Sequence, residues 1–410
     1  MNTANAGAGI QTYKLAFSGQ GFEFFRVWIV NVLLSIVTLG FYTPVARRRT
    51  ARYFFDHTMV AGSPLDFTAP LRKMVRGFLL FVLIYAAYKF AAQTGHTTAA
   101  SVFILAAALL APYIWGSAMR FRLGSTRWRG LQLQFSASWK EVYLASWPIF
   151  AMAAVWVCAT FALKALASDI PTPQPPLGPR DARGPALPQI NVEMWTVIAM
   201  GVILSVLCII RLEFNYKSLL VLRAGFGNQR GRWKPVYSDF VKVWAATVGV
   251  FVLSVLLAVG LLVALMGGSY AAFSNMKGGM GPKAVVFIAL AVLGFIIILF
   301  MASAPARAYR EARMFQLIWS NVGLSQVARF KCKLKTSAFV LLRLKNMLLS
   351  LLTLGLYRPF AKVNEYRIKV DSVTLHVKGG LDQLIGQLSK QQQDGLGDAL
   401  ADAAGLDLIG

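Results

Sequence analysis

Acidic side chains are scarce in this chain of 410 residues: 17 Asp and Glu stand against 42 Lys and Arg, and charged residues of both signs make up only 14%. Ordinary soluble domains carry roughly 25% charged residues, so a soluble globular class is excluded. Cysteine is also rare. Cys158, Cys208 and Cys332 lie far apart, and neither a disulfide framework nor a zinc pair follows from them. The three histidines, His57, His96 and His376, fall in separate segments without a second ligand at metal spacing, so no metal site is expected. There is no P-loop, no GxSxG and no HExxH, which leaves no catalytic residues and no cofactor to assign. The amino-terminal MNTANAGAGI lacks a basic region followed by an apolar stretch, so no cleavable signal peptide is expected.

What the chain has instead is apolar residues, 57% of the total, with a mean hydropathy of +0.56. Runs near the ~20 residues needed to cross hydrocarbon recur at 77–94, 97–119, 142–167, 194–210, 243–266 and 284–306. The formal charge of +25 would suggest nucleic acid in a soluble protein. Here the basic residues are dispersed over several loops, with no nucleic-acid motif beside them. They read as positive loops facing an anionic leaflet, so the expected partners are membrane lipids with anionic headgroups at the cytoplasmic face, and not nucleic acid. The positive-inside rule places the segments rich in Lys and Arg, such as Arg47 to Arg76 and Arg211 to Lys242, in the cytoplasm.

One stretch is written twice. NVLLSIVTLGFYTPVA, Asn31 to Ala46, returns as NMLLSLLTLGLYRPFA, Asn346 to Ala361, with ten of sixteen positions identical. Only the twelve residues Asn346 to Tyr357 separate Lys345 from Arg358, and a helix of that length reaches about 18 Å, short of the ~30 Å of a hydrocarbon core. Both copies are therefore expected to re-enter or lie at the cytoplasmic interface; two plain spans remain the alternative. Gly40 and Gly355 permit the left-handed turn that ends a helix, Pro44 and Pro359 cannot continue one, and Tyr42 and Tyr357 suit the headgroup level. Asn31 and Asn346 are expected to cap or to hydrogen-bond a neighbouring helix.

A second similarity lies in the connectors. TMVAGSPLDF, Thr58 to Phe67, and TRWRGLQLQF, Thr126 to Phe135, share Thr, Gly, Leu and Phe at equal spacing, and NVGLSQVARF, Asn321 to Phe330, keeps the last Phe. Short β elements after a Gly turn are expected there.

The doubled Asn-x-Leu-Leu…Thr-Leu-Gly-x-Tyr-x-Pro-x-Ala signature, with Arg52 and Tyr53 downstream and the Thr58 to Phe67 segment, resembles the YjgN-like family of bacterial inner-membrane proteins, which is defined by a domain of unknown function. The resemblance implies a multi-pass protein of the inner, cytoplasmic membrane and carries no reaction with it.

The expected fold class is thus an all-α polytopic membrane protein: about six full transmembrane helices in three hairpins, two short re-entrant or interfacial helices related by an internal repeat, and small β elements in cytoplasmic connectors. Along the chain this gives a cytoplasmic segment 1–23, a first short helix 24–46, a connector 47–76 and a bundle 77–306. The bundle holds an external Pro-rich loop 168–193 and cytoplasmic connectors 120–141 and 211–242. A connector 307–340, a second short helix 341–361 and a cytoplasmic tail 362–410 complete the chain, with both termini inside. The candidate functional polar positions are Asn31, Thr38, Asn346 and Thr353, with Arg211, Glu213 and Asn215 at the mouth of a span. The expected function is translocation of a small solute or lipid-like molecule between the two repeats, which needs a polar cavity there; the alternative is a non-enzymatic membrane scaffold or partner- or lipid-binding protein of the cell envelope with a solid interior.

Overall fold

The computed structural model describes residues 9–93, 97–168, 191–226, 229–274, 282–324, 328–380 and 385–386. The Pro-rich loop and nearly all of the tail beyond 380 lie outside the described residues.

The chain opens with strands β1 (Ile10–Lys14) and β2 (Ala16–Phe17), then helices α1 (Gly21–Val37) and α2 (Thr43–Asp56) and the hairpin β3 (Thr58–Val60) and β4 (Ser63–Phe67). Helices α3 (Leu71–Gln93) and α4 (Thr97–Gly124) lead into the hairpin β5 (Thr126–Trp128) and β6 (Leu131–Phe135). Next come α5 (Trp139–Ala145), α6 (Trp147–Ser168), α7 (Val192–Arg223), β7 (Ala224–Phe226) and β8 (Gln229–Arg232). The long helices α8 (Tyr237–Ser274) and α9 (Pro282–Asn321) precede β9 (Gly323–Leu324) and β10 (Ala328–Cys332), and α10 (Thr336–Leu352), α11 (Arg358–Asp371) and β11 (Val373–Lys378) close the order.

This corrects the expected all-α class. The short strands do not stay as separate pieces in their connectors; they join into one 11-stranded antiparallel sheet in the order β1-β11-β10-β9-β8-β7-β6-β5-β4-β3-β2. The six-span bundle is corrected with it. Among the described residues three helical stretches are long and apolar enough to cross a membrane, Trp147–Ala167, Val192–Arg223 and Tyr237–Gly260. Hydropathy registers each apolar run on its own, whereas strands of two to six residues acquire their partners from segments hundreds of residues away.

Local chemistry explains the hairpins. Between β3 and β4 the residues Ala61 and Gly62 both have positive φ, 48° and 77°, and between β5 and β6 Arg129 and Gly130 repeat this at 49° and 80°. Two consecutive positive-φ residues make the mirror-image turn whose twist matches paired strands. The two strands at the ends of the order, β1 and β2, are separated only by Leu15, whose amide donates to the Val373 carbonyl at 3.1 Å. The ladder therefore starts and finishes on one extended segment.

The molecule divides into two compact units, Met1–Lys89 with Met119–Ser136 and Val221–Gly410, and Phe90–Ala118 with Ala137–Leu220. All eleven strands belong to the first. Its core is the inner face of the sheet together with α1, α2 and α11: Leu15, Phe17, Phe24, Phe54, Trp128, Leu131, Val363, Val373, Leu375 and Val377 are all buried in one cluster. In the second unit α5 starts with a capping box, in which the Ser138 hydroxyl accepts from the Glu141 amide at 3.3 Å and the Glu141 carboxylate accepts from the Ser138 amide at 2.9 Å.

Candidate functional site

The two similar stretches fold alike. Helices α1 and α10 are 17 residues each, α2 and α11 are 14 each, and the turn between them is built from the same parts. Thr38 donates its hydroxyl to the Leu34 carbonyl at 2.7 Å and accepts the Tyr42 amide at 3.0 Å; Thr353 does the same with Leu349 and Tyr357 at the same distances. Leu39 and Gly40 then take φ of 49° and 90°, and Leu354 and Gly355 take 51° and 91°. Pro44 and Pro359 occupy the first turn of the helix that follows, where a missing amide costs nothing. The hydroxyls singled out from sequence as functional, Thr38 and Thr353, are thus the clasps of a turn.

Asn31 and Asn346 are buried, and each donates through Nδ2 to a carbonyl of the returning helix, Ala46 at 3.4 Å and Ala361 at 3.3 Å. Both Oδ1 atoms are buried without a partner among the described residues. The second copy adds an ion network that the first lacks. Asn346 also donates to Glu365 Oε1 at 3.3 Å, Arg343 lies 3.8 Å from Glu365, and Arg343 and Lys369 both pair with Glu311 on α9. Burial and the neighbouring Arg343 guanidinium push the Lys369 ammonium down to about 8, against the pull of Glu365. Sequence reasoning missed this network, although Glu365 and Lys369 sit four apart on one helix, the spacing at which opposite charges share a face.

Between the copies the space is filled by side chains. Gly21 faces Phe360 so closely that a Cβ there would lie 2.7 Å from the ring, and Phe25 stacks on Phe360 with centroids 5.6 Å apart. Arg367 donates to the Gly19 carbonyl at 2.6 Å, and the Tyr366 and Thr58 hydroxyls meet at 3.0 Å. Tyr53 donates to the Gln20 carbonyl at 2.8 Å, and burial pushes its phenol up to about 12. Arg211, Glu213 and Asn215 lie in the second unit, where Asn215 donates to the Ala145 carbonyl at 2.9 Å and the Arg211 guanidinium sits over the Phe214 ring. Asn31, Thr38, Asn346 and Thr353 lie in the first unit and Arg211, Glu213 and Asn215 in the second.

The sheet brings together what no single connector shows. Residues paired across an antiparallel ladder share a face. The register Lys14↔Thr374↔Lys331, then Arg329 two residues along, Arg329↔Gly323↔Arg232, then Arg230↔Gly225↔Gln134 and Gln132↔Arg127↔Asp66, traces one continuous face. Lys14, Arg127, Arg230, Arg232, Arg329, Lys331 and Lys378 are all exposed on it, against a single carboxylate among the described residues, Asp66. The opposite face carries Phe67, Trp128, Leu131, Phe135, Leu375 and Val377 and is buried. Strand residues alternate between the two faces, so the hairpins β5–β6, β7–β8 and β9–β10 deliver their cations outward and their aromatics inward. The result is a belt of positive charge on the outer face of the sheet, the strands of which follow directly from helices α4, α7 and α9.

The family model for bacterial proteins of unknown function named DUF898 matches residues 12–403. Among curated proteins the chain is 26% identical over 134 residues to the inner membrane protein YjgN of Escherichia coli O157:H7, and 24% identical over 160 residues to that of Salmonella typhimurium. The first alignment covers 33% of this chain and 34% of the relative, the second 38% and 40%, so the chain spans well under half the length of the curated relatives it matches. No solved structure matches.

Proposed function

The chain belongs to the DUF898 family of bacterial proteins of unknown function, and we propose that it is a multi-pass inner-membrane scaffold whose basic sheet face holds anionic lipid headgroups. The relatives named as inner membrane proteins support the location. In this reading both termini are cytoplasmic, because β1 and β11 pair with each other in the same sheet as Arg127, Arg230 and Arg329 and Lys and Arg are retained inside.

The observation that carries the proposal is the outer face of the sheet, with seven exposed cations and one carboxylate on a single surface among the described residues. Each cation near an anionic leaflet contributes about 1 kcal/mol of attraction, which falls off within a Debye length. Translocation between the two copies draws no support from the geometry, since Phe360 and Phe25 occupy the space where a polar passage would run. The paired turns, with the same hydrogen bonds at Thr38 and Thr353, favour reading the two copies as a duplicated brace.

The test is lipid retention. The full chain is extracted from membranes in polymer nanodiscs and the ratio of phosphatidylglycerol to phosphatidylethanolamine is measured against bulk membrane. Enrichment of the anionic lipid is expected for the native chain and a fall of at least half for R329E/K331E. Equal ratios in native and variant discs overturn the proposal.

A further inference from the structure

An open groove of about 760 Å³ runs between α8, α9 and α10 in the first unit. Its walls are ordered along α10. Lys335, Thr336 and Ser337 stand at the start of that helix, and Val340, Leu341 and Leu344 follow along the same wall, facing Val250 of α8 and Pro305 of α9. At 1.5 Å per residue the step from Ser337 to Leu344 is about 10 Å, so one end of the groove offers a cation and hydroxyls and the rest offers hydrocarbon.

Charge at the polar end is unopposed. Lys335 is exposed and its ammonium pairs with no carboxylate among the described residues, while Glu311, the acid of the neighbouring turn of α9, is engaged by Arg343 and Lys369. Gln316 at the floor is satisfied internally: it donates to the Leu334 carbonyl and accepts from the Thr336 hydroxyl at 3.3 Å. The polar groups left for a ligand are Lys335, Ser337 and the Tyr309 hydroxyl, all three able to donate and none a carboxylic acid. A soluble anion would have no use for the leucines, and a neutral hydrocarbon would leave Lys335 unexplained.

We propose that this groove seats one anionic phospholipid, with its phosphate at Lys335 and one acyl chain along Val340, Leu341 and Leu344. The site rests on the membrane reading given above but not on the sheet face, since none of its residues lies on a strand. It also differs in kind: the sheet face attracts headgroups without counting them, whereas the groove has room for a single chain.

Native mass spectrometry of the full chain released from detergent, titrated separately with phosphatidylglycerol and phosphatidylcholine, tests both features. One phosphatidylglycerol is expected to stay bound where phosphatidylcholine is lost. K335E is expected to lower phosphatidylglycerol occupancy at least fivefold and leave phosphatidylcholine unchanged. L341W, made at an exposed position that does not disturb the core, is expected to lower phosphatidylglycerol retention by filling the groove. R329E/K331E, on the sheet face, is expected to leave the single tight lipid in place. Equal retention of the two lipids, or a bound lipid indifferent to K335E and L341W in chains of native melting temperature, overturns the proposal. Loss of the tight lipid in R329E/K331E alone would assign it to the sheet face and overturn the groove while sparing the scaffold.

Discussion

Asn346 donates one amide hydrogen to the Ala361 carbonyl and the other to the Glu365 carboxylate, both at 3.3 Å. Its counterpart Asn31 makes one bond, to Ala46 at 3.4 Å. The difference ranks the two copies. From α10, Asn346 ties α11 to a network that runs through Glu365 and Arg343 to Glu311 and Lys369. From α1, Asn31 ties only helix to helix.

Replacing Asn346 with Ala leaves the half-buried Glu365 short of a donor, and a cost of about 1.5–3 kcal/mol is expected for a hydrogen bond to a charged group. For N31A the expectation is about 1 kcal/mol, the figure for a neutral bond. Thermal unfolding in detergent, followed by circular dichroism, should place N346A clearly below N31A. Equal melting temperatures would show that the Glu365 contact contributes nothing.

Leu39 and Leu354 hold left-handed backbone, a region that costs a side chain with a Cβ roughly 1–2 kcal/mol. Both side chains are almost fully exposed, 89% and 94%, so no packing in the fold is lost on removing them. After the extra chain entropy that glycine loses on folding, about 0.5–1 kcal/mol, L354G is expected to raise stability by about 0.5 kcal/mol. A lower melting temperature would mean that the exposed leucine is held by something outside the chain.

At Gly21 any side chain meets Phe360. G21A requires the ring to shift and is expected to cost about 1–3 kcal/mol, the range for overpacking a filled core. Adding F360A should recover much of the loss. The cycle of four proteins reads the contact between α1 and α11 directly; additive single effects would deny it.

Two groups give opposite slopes with pH. The Lys369 ammonium in the folded chain titrates at about 8, below its ordinary 10.5, so the unfolded chain holds the proton more tightly and stability rises as pH goes from about 8 toward 10.5. Tyr53 is raised from 10.0 to about 12, so the folded chain holds that proton more tightly and stability falls once pH passes about 10. In denaturant titrations between pH 7 and 11.5, K369M should flatten the rise and Y53F should soften the alkaline fall.

The turn chemistry was legible in the residues themselves. Gly40 with Pro44, Gly355 with Pro359 and the Gly62 and Gly130 hairpins depend on backbone preferences of one or two residues, and these act wherever the chain places them. The apolar runs were legible too, and with them the membrane class. Pairing was not. Strand β2 has two residues and β9 has two, and nothing in such short pieces states that the first lies beside Thr58 or that the second lies between Arg232 and Arg329. Only the closing of the ladder on residues 10–17 makes one surface of Lys14, Arg127 and Arg329, because side chains alternate across a strand and cross-strand register then sums them. The ion network and the groove have the same origin: Glu311, Arg343, Lys369 and Lys335 become neighbours through the packing of α9, α10 and α11, and electrostatic energy depends on distance in space, to which position along the chain gives no guide.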